Sequence, residues 1–180
     1  RKEEQLTAGF RPNSVHQLKI GAKKDGKLSA IQQRSYGTAG VGLGAGVGSI
    51  AQNMYECPNF ATEQYDVFTH FSPGAAWRAP GAVQGAFGLE SLIDEIAESL
   101  NMDPLKYRDI IDKSEVRKVE RQKGAELFGW SKRKKAGSDP GPVKKGMGMA
   151  QSSWPRFTHF DSTAEVRFFR DGAVEVRSGV

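Results

Sequence analysis

The stretch "VHQLKIGAKKDGKLSAIQQRSYGTAG", residues 15–40, constrains the fold more than any other part of the chain. Val15, Leu18 and Ile20 lie on one side of Asp25-Gly26; Leu28, Ile31 and Tyr36 lie on the other. Asp-Gly between two alternating segments predicts a β-hairpin closed by a type I′ turn, which needs positive φ at both central residues. The pattern returns near the end of the chain, where Asp171-Gly172 separates Ala164, Val166 and Phe168 from Val174 and Val176. Two hairpins therefore frame the chain.

The residues between them read as helices. From Ala82 to Leu100, the apolar Val83, Phe87, Leu92, Ile93, Ile96 and Leu100 recur at helical spacing. Glu90, Asp94, Glu95 and Glu98 fill the other face, read as solvated. Asn101 closes the helix as a residue that tolerates the left-handed conformation. Asp103-Pro104 then supplies an N-cap and an N1 proline for a second helix through about Ile111, with Leu105, Tyr107, Ile110 and Ile111 as its apolar positions. Hairpins packed with helices make an α+β fold. The turn-rich "KKAGSDPGPVKKG" places a change of subdomain near Gly137–Gly146, with a second sheet expected from about Val143.

The net charge of +5 concentrates between Glu115 and Gly137, in "EVRKVERQKG" and "SKRKKAG". This run reads as a solvated, mobile connection with only a short helical stretch. Several function classes find no support. Cys57 is the only cysteine, so neither an internal disulfide nor a Cys-based zinc cage can form. His16, His70 and His159 are scattered, and neither H-E-x-x-H nor G-x-S-x-G occurs. No segment approaches the roughly 18 apolar residues of a membrane-spanning helix. "RKEEQLTAGF" opens without a methionine, which leaves export open. The glycines from Gly40 to Gly48 lack the Walker Lys-Ser/Thr and meet a dinucleotide fingerprint only in the loose frame Gly40, Gly42, Ala45, so they read as a close-packed loop.

One arginine stands out. Arg78 sits in "FSPGAAWRAPGAVQGAF", between Trp77 and an Ala-Pro-Gly turn, just ahead of the long helix. An arginine there is ordinarily solvated or paired with an acid. The functional alternative is an anion or oxo-group site, because a planar five-donor cation then stands beside a helix N-terminus. Pro80 would fix the turn, Gly81 would let a ligand approach the backbone, and Trp77 would be a rigid wall.

Taken in order, "RPNSVHQLKIGAKKDGKLSAI", "YECPN", "AAWRAPGAVQGAFGLESLIDEIAESLNMDPLKYRD" and "GSDPGPVKKGMGMA" resemble the large, molybdenum-binding subunit of the xanthine dehydrogenase and aldehyde oxidase family. The bacterial aldehyde oxidoreductase branch is the nearest match. The resemblance runs from about Thr7 to Gly179, and the block after "WRAPG" is its most specific part. It implies residues 1–136 as part of a first molybdenum-cofactor-binding subdomain and 137–180 as the start of a second. It implies a molybdenum enzyme that oxidises aldehydes or hydroxylates heteroaromatic carbons with oxygen from water. The metal would be held by molybdopterin, as a cytosine dinucleotide in bacteria, with iron–sulfur clusters and FAD on partner subunits.

By position in the family, Arg78 is the catalytic arginine beside the metal. Trp77, Gly81, Lys106, Tyr107, Arg108, Met149 and Ala150 become cofactor-binding candidates, Arg108 being suited to phosphate. Two departures bear on substrate. Purine-oxidising members carry an aromatic residue where Pro80 stands, and a second arginine where Gly46–Val47 lies. Both differences favour a neutral aldehyde. The family's upstream Gly-Gly-x-Phe-Gly loop, its later Gln-containing loop and its glutamate are not in these 180 residues, so the chain reads as an internal piece, inactive alone. Two other readings are a non-catalytic binding or assembly module of the same fold and a basic nucleic-acid-binding domain. The latter lacks an aromatic RNA-binding motif and zinc-finger spacing.

Overall fold

The computed structural model describes residues 2–44, 46–48, 50–135, 137–154 and 163–179, with side chains 5–7 left aside. Its elements are α1 (Lys2–Thr7), β1 (Ser14–Ala22), β2 (Leu28–Gly40), α2 (Ala51–Met54), β3 (Phe60–Phe68), α3 (Ala82–Ser99), α4 (Pro104–Ile111), α5 (Glu115–Phe128), a 3-10 turn at Trp130–Lys132, β4 (Thr163–Phe168) and β5 (Val174–Gly179). His159 lies outside the described residues.

The first hairpin forms as expected, β1 antiparallel to β2, but its turn differs. Only Gly26 has positive φ, at 89°. Gly26 N–H donates to the Lys23 carbonyl, and Lys23 N–H donates to the Lys27 carbonyl, both at 2.9 Å. The Asp25 carboxylate accepts from Lys27 N–H at 3.1 Å, which favours this longer loop over a two-residue turn. The second hairpin repeats the device, with Gly172 at φ 87° and Asp171 accepting from Ala173 N–H.

β3 was not foreseen. It pairs parallel to β2, from Ile31↔Phe60 to Thr38↔Val67 and on to Phe68, giving the sheet order β1-β2-β3. Every residue of β3 is exposed, so the strand carries no apolar stripe to betray it. Its visible anchors are the stacked Tyr36 and Tyr65 rings, 5.1 Å apart, and the Arg34–Glu63 ion pair at 2.7 Å.

α3 lies across β1 at Gly88 and against Val47 and Ile50 at Gly85. A Cβ on Gly85 would meet the Val47 carbonyl oxygen at 2.7 Å, and one on Gly88 would meet Leu18 at 2.9 Å. The core joins Leu28 and Ile31 of the sheet to Leu89, Ile93 and Ala97 of α3 and to Tyr107 and Ile111 of α4. Helical spacing placed α3 correctly but misjudged its faces. Val83 and Phe87 are 54% and 80% exposed, whereas Glu90 is buried. At the far end Asn101 (φ 53°) does close the helix: its N–H donates to the Glu98 carbonyl and Met102 N–H to the Ala97 carbonyl, the paired bonds of a Schellman motif. Asp103 caps α4 as expected, accepting from Leu105 and Lys106 N–H.

Two further expectations require correction. The basic run is a 14-residue helix, α5, capped by Ser114 and ended by Gly129, rather than a loop with a short helical stretch. It is also not wholly solvated, since Arg121 is buried. The second sheet begins at Thr163, not Val143: residues 143–154 have no helix or strand.

Candidate functional site

The loop ahead of α3 is held by its neighbours rather than by secondary structure of its own. Thr69 N–H donates to the Gly40 carbonyl, Gly74 N–H to the Ala39 carbonyl and Ala75 N–H to the Phe10 carbonyl, each at 3.0 Å. The Phe10 and Phe71 rings meet at 5.8 Å. Arg11 Nη2 donates to the Arg78 carbonyl at 2.6 Å, and Nη1 reaches the Ala79 carbonyl at 3.5 Å. Gln84 Nε2 donates to the Pro12 carbonyl at 2.8 Å. Residues 10–12 thus pin the backbone at Ala75, Arg78 and Ala79 and hold the Gln84 side chain. Arg11 escaped the sequence reading because its partners are main-chain carbonyls 67 and 68 positions away, which leave no motif.

The pinned loop leaves the Trp77 and Arg78 side chains free. Arg78 is exposed, and among the described residues its guanidinium makes no hydrogen bond or ion pair. Trp77 beside it is 69% exposed. Ala79 and Gly81 both adopt positive φ, at 55° and 74°. Gly81 offers α3 no side-chain cap, so the first-turn N–H groups lack a side-chain acceptor.

The other candidates lie elsewhere, around a buried ionic cluster. Arg108 is fully buried on α4. Its Nε and Nη2 donate to Glu90 Oε2 at 3.0 and 2.9 Å, and Nη1 donates to Asp94 Oδ1 at 2.6 Å and the Pro104 carbonyl at 3.1 Å. Nη2 also reaches the Glu90 and Met149 carbonyls, each at 3.4 Å. Burial opposes the guanidinium charge, but Glu90 and Asp94 outweigh it and its pKa is raised. All five donors are engaged, so Arg108 has none left for a cofactor phosphate, contrary to the expectation from its chemistry. Tyr107 is buried too; its hydroxyl has no partner among the described residues, and burial pushes it up to about 12. Lys106 is exposed on the same helix. Met149 is half-buried, and Ala150 next to it is exposed.

The cluster extends through Asp112, the residue that ends α4. Arg117 and Arg121 of α5 both reach its carboxylate at 2.6 Å, and Arg121 also binds Asp109 at 2.7 Å. Burial alone would raise the Asp112 pKa, yet hydrogen bonds from Arg117, Ser114 N–H, Arg121 and Gln151 hold it down at about 2. Tyr55 donates to Glu90 Oε1 at 2.5 Å, and burial followed by the Glu90 charge raises its phenol. Of this cluster, sequence reasoning had singled out only Arg108 and the neighbouring Met149; Glu90 was missed because an acid at helical spacing looks like a solvated face, and Asp112, Arg121 and Gln151 because their partners lie on other elements.

The donor chemistry suits an anionic or oxo-bearing group at Trp77–Gly81, where a free guanidinium stands beside uncapped helix N–H groups. It does not suit one at Arg108. Among the described residues no group of three or more His, Cys, Asp and Glu side chains is placed to hold a metal ion.

Residues 1–110 match the molybdopterin cofactor-binding domain model. That is more than half of the chain, which belongs to this family. The aldehyde oxidoreductase molybdenum-binding subunit PaoC of Escherichia coli O157:H7 is 32% identical over 149 residues, 76% of this chain and 20% of PaoC. The xanthine dehydrogenase of Blastobotrys adeninivorans is 34% identical over 116 residues, 61% of this chain and 8% of that protein. The solved structure of reconstituted CO dehydrogenase from Oligotropha carboxidovorans shares the α+β fold, with a TM-score of 0.70 at 18% identity over 99% of this chain and 28% of that one. The chain thus spans a fifth or less of the two curated relatives.

Proposed function

We propose that this chain is part of the large subunit of a molybdenum hydroxylase that oxidises aldehydes, with residues 1–136 and 137–180 in two successive cofactor-binding subdomains. The supporting observation is the free guanidinium of Arg78, on a backbone pinned by Arg11, in a chain of the molybdopterin-binding family. Molybdopterin, in its cytosine dinucleotide form, would supply the two-electron oxidation of the aldehyde carbon, oxygen coming from water and electrons leaving to iron–sulfur clusters and FAD on partner subunits.

The chain's own residues orient and stabilise. Arg78 donates two hydrogen bonds to the oxygen that gains negative charge as the aldehyde reacts. Trp77 walls the site and excludes water, and Gly81 leaves room for the ligand at the helix end. At the place of a second cationic contact this chain has Gly46 and the fully buried Val47, and Pro80 stands where a purine-stacking aromatic would be. Those residues suit a neutral substrate.

The test uses the full-length subunit with its partners. Molybdenum is assayed per subunit, and the acid formed from an aromatic aldehyde in ¹⁸O-labelled water is analysed by mass spectrometry. The expected product carries the label. A metal-free protein or an unlabelled product overturns the reading, and a metal-free protein favours an assembly module instead.

A further inference from the structure

Residues 143–154 carry no helix or strand, yet they are not randomly placed. Met147, Met149 and Gln151 are half-buried, while Gly148, Ala150 and Ser152 are exposed. That alternation is the signature of an extended segment with one face on a support. The support is the ionic cluster and its flank. Arg133 Nε donates to the Met147 carbonyl at 3.3 Å, Arg108 Nη2 to the Met149 carbonyl at 3.4 Å, and Gln151 N–H to Glu90 Oε2 at 2.9 Å.

Of these anchors only Gln151 is engaged by both backbone and side chain. Its Nε2 donates to the Tyr55 hydroxyl at 3.0 Å and to Asp112 Oδ2 at 2.9 Å. Its Oε1 accepts from Arg121 Nη1 at 2.9 Å. One residue thereby touches Tyr55 at the end of α2, Glu90 of α3, Asp112 at the end of α4 and Arg121 of α5.

We propose that Gln151 is a positioning residue that sets the register of the 147–152 segment, so that Gly148 and Ala150 face the cofactor and the Met149 side chain does not. This rests on the cofactor reading above. The physical reason is that the segment pairs with no strand, so no ladder of backbone bonds fixes it. A slip by one residue would exchange its faces, burying Ala150 and turning Met149 outward. A carboxamide suits this place. It donates to the phenol oxygen and to a carboxylate while accepting from a guanidinium, adding no charge to the cluster.

The test is Gln151→Met, which keeps the length and loses the polar bonds, with Gln151→Asn, one methylene shorter, as a second variant. In the full-length subunit without cofactor, hydrogen exchange at residues 149–152 should rise at least tenfold in Gln151→Met while α3 and α4 keep their protection. In the loaded enzyme, molybdenum content should hold, the Mo(V) paramagnetic resonance spectrum should change, and kcat should fall on the order of tenfold at unchanged KM. Gln151→Asn should give smaller changes in the same direction; wild-type behaviour in both variants overturns the proposal. Faster exchange with an unchanged spectrum and kcat also overturns it, since Gln151 then holds the segment without positioning anything. If the wild-type subunit holds no molybdenum, the functional reading fails, while the exchange result still decides the register.

Discussion

Arg108 and Arg78 carry the same side chain into opposite surroundings. Arg108 is shut among Glu90, Asp94 and two helices, its five donors engaged. Arg78 has its main chain gripped by Arg11 and its guanidinium free. A buried arginine with satisfied partners fastens elements together, because removing it would strand its partners' charges. A free arginine on a fixed backbone contributes little to the fold, and all its donors stay available to a ligand. The difference separates a fastening from a candidate working group, although the family resemblance pointed to both.

The sharpest way to break this contrast is Arg108→Leu. It leaves the Glu90 carboxylate buried with no cation beside it. The expected cost is about 3–5 kcal/mol, read as lost hydrogen-exchange protection across α4 in the full-length subunit. Arg78→Leu should cost under about 0.5 kcal/mol by the same measure. Equal losses would erase the distinction.

The next effect belongs to Arg78 alone. Arg78→Lys should lower turnover per molybdenum on the order of a hundredfold, the usual cost of one preorganised donor. Metal content should stay at the wild-type level, because an ammonium keeps the charge and loses only the oriented pair of hydrogen bonds. Wild-type turnover would return Arg78 to the solvated class, and metal lost in step with activity would make it an anchor.

Legibility in the sequence followed how local each signal was. The Asp-Gly turns, the Asp103-Pro104 start and the Asn101 stop were readable because each acts within a few residues. β3 was not, since its partner is β2, about 30 positions upstream, and its own surface is exposed. The basic run misled for the opposite reason. Arg117 and Arg121 look like solvent-facing charges until α4 folds back and offers Asp109 and Asp112. At the site, Arg78 could be singled out from its neighbours, but Arg11, Glu90 and Gln151 act across the fold and only the folded chain brings them to their partners.

Acid should open the Arg108 side of the comparison first. Asp112 has its pKa depressed to about 2, so its stabilising effect is present above the ordinary carboxylate value and is lost as pH falls from about 4 toward 2. Limited acid proteolysis of the full-length subunit should therefore cut near α5 before it cuts the Trp77 loop. In Asp112→Asn, α5 should already be looser at neutral pH and respond less to acid. Cleavage of the Trp77 loop first would mean that Asp112 does not govern acid stability here.

The finest probe of the free arginine is Ala79→Gly. Ala79 holds φ at 55°, in a region that costs a non-glycine residue roughly 1–2 kcal/mol. Glycine relieves that strain but gains freedom in the unfolded chain, worth about 0.4–1 kcal/mol in the other direction. The difference favours glycine by under about 2 kcal/mol, and melting of the full-length subunit should rise by no more than a few degrees. Turnover should respond more. With Ala79 confined between Arg78 and Pro80, the loop has one conformation in which to present the guanidinium; glycine gives it several, and only some aim the donors at the reacting oxygen. A fall in kcat of severalfold at constant molybdenum content is the expected result. Unchanged turnover would show that the grip of Arg11 on the Arg78 carbonyl suffices to aim the side chain. A double variant, Ala79→Gly with Arg11→Ala, would then separate the two restraints, because losing both should cost more than the sum of losing each.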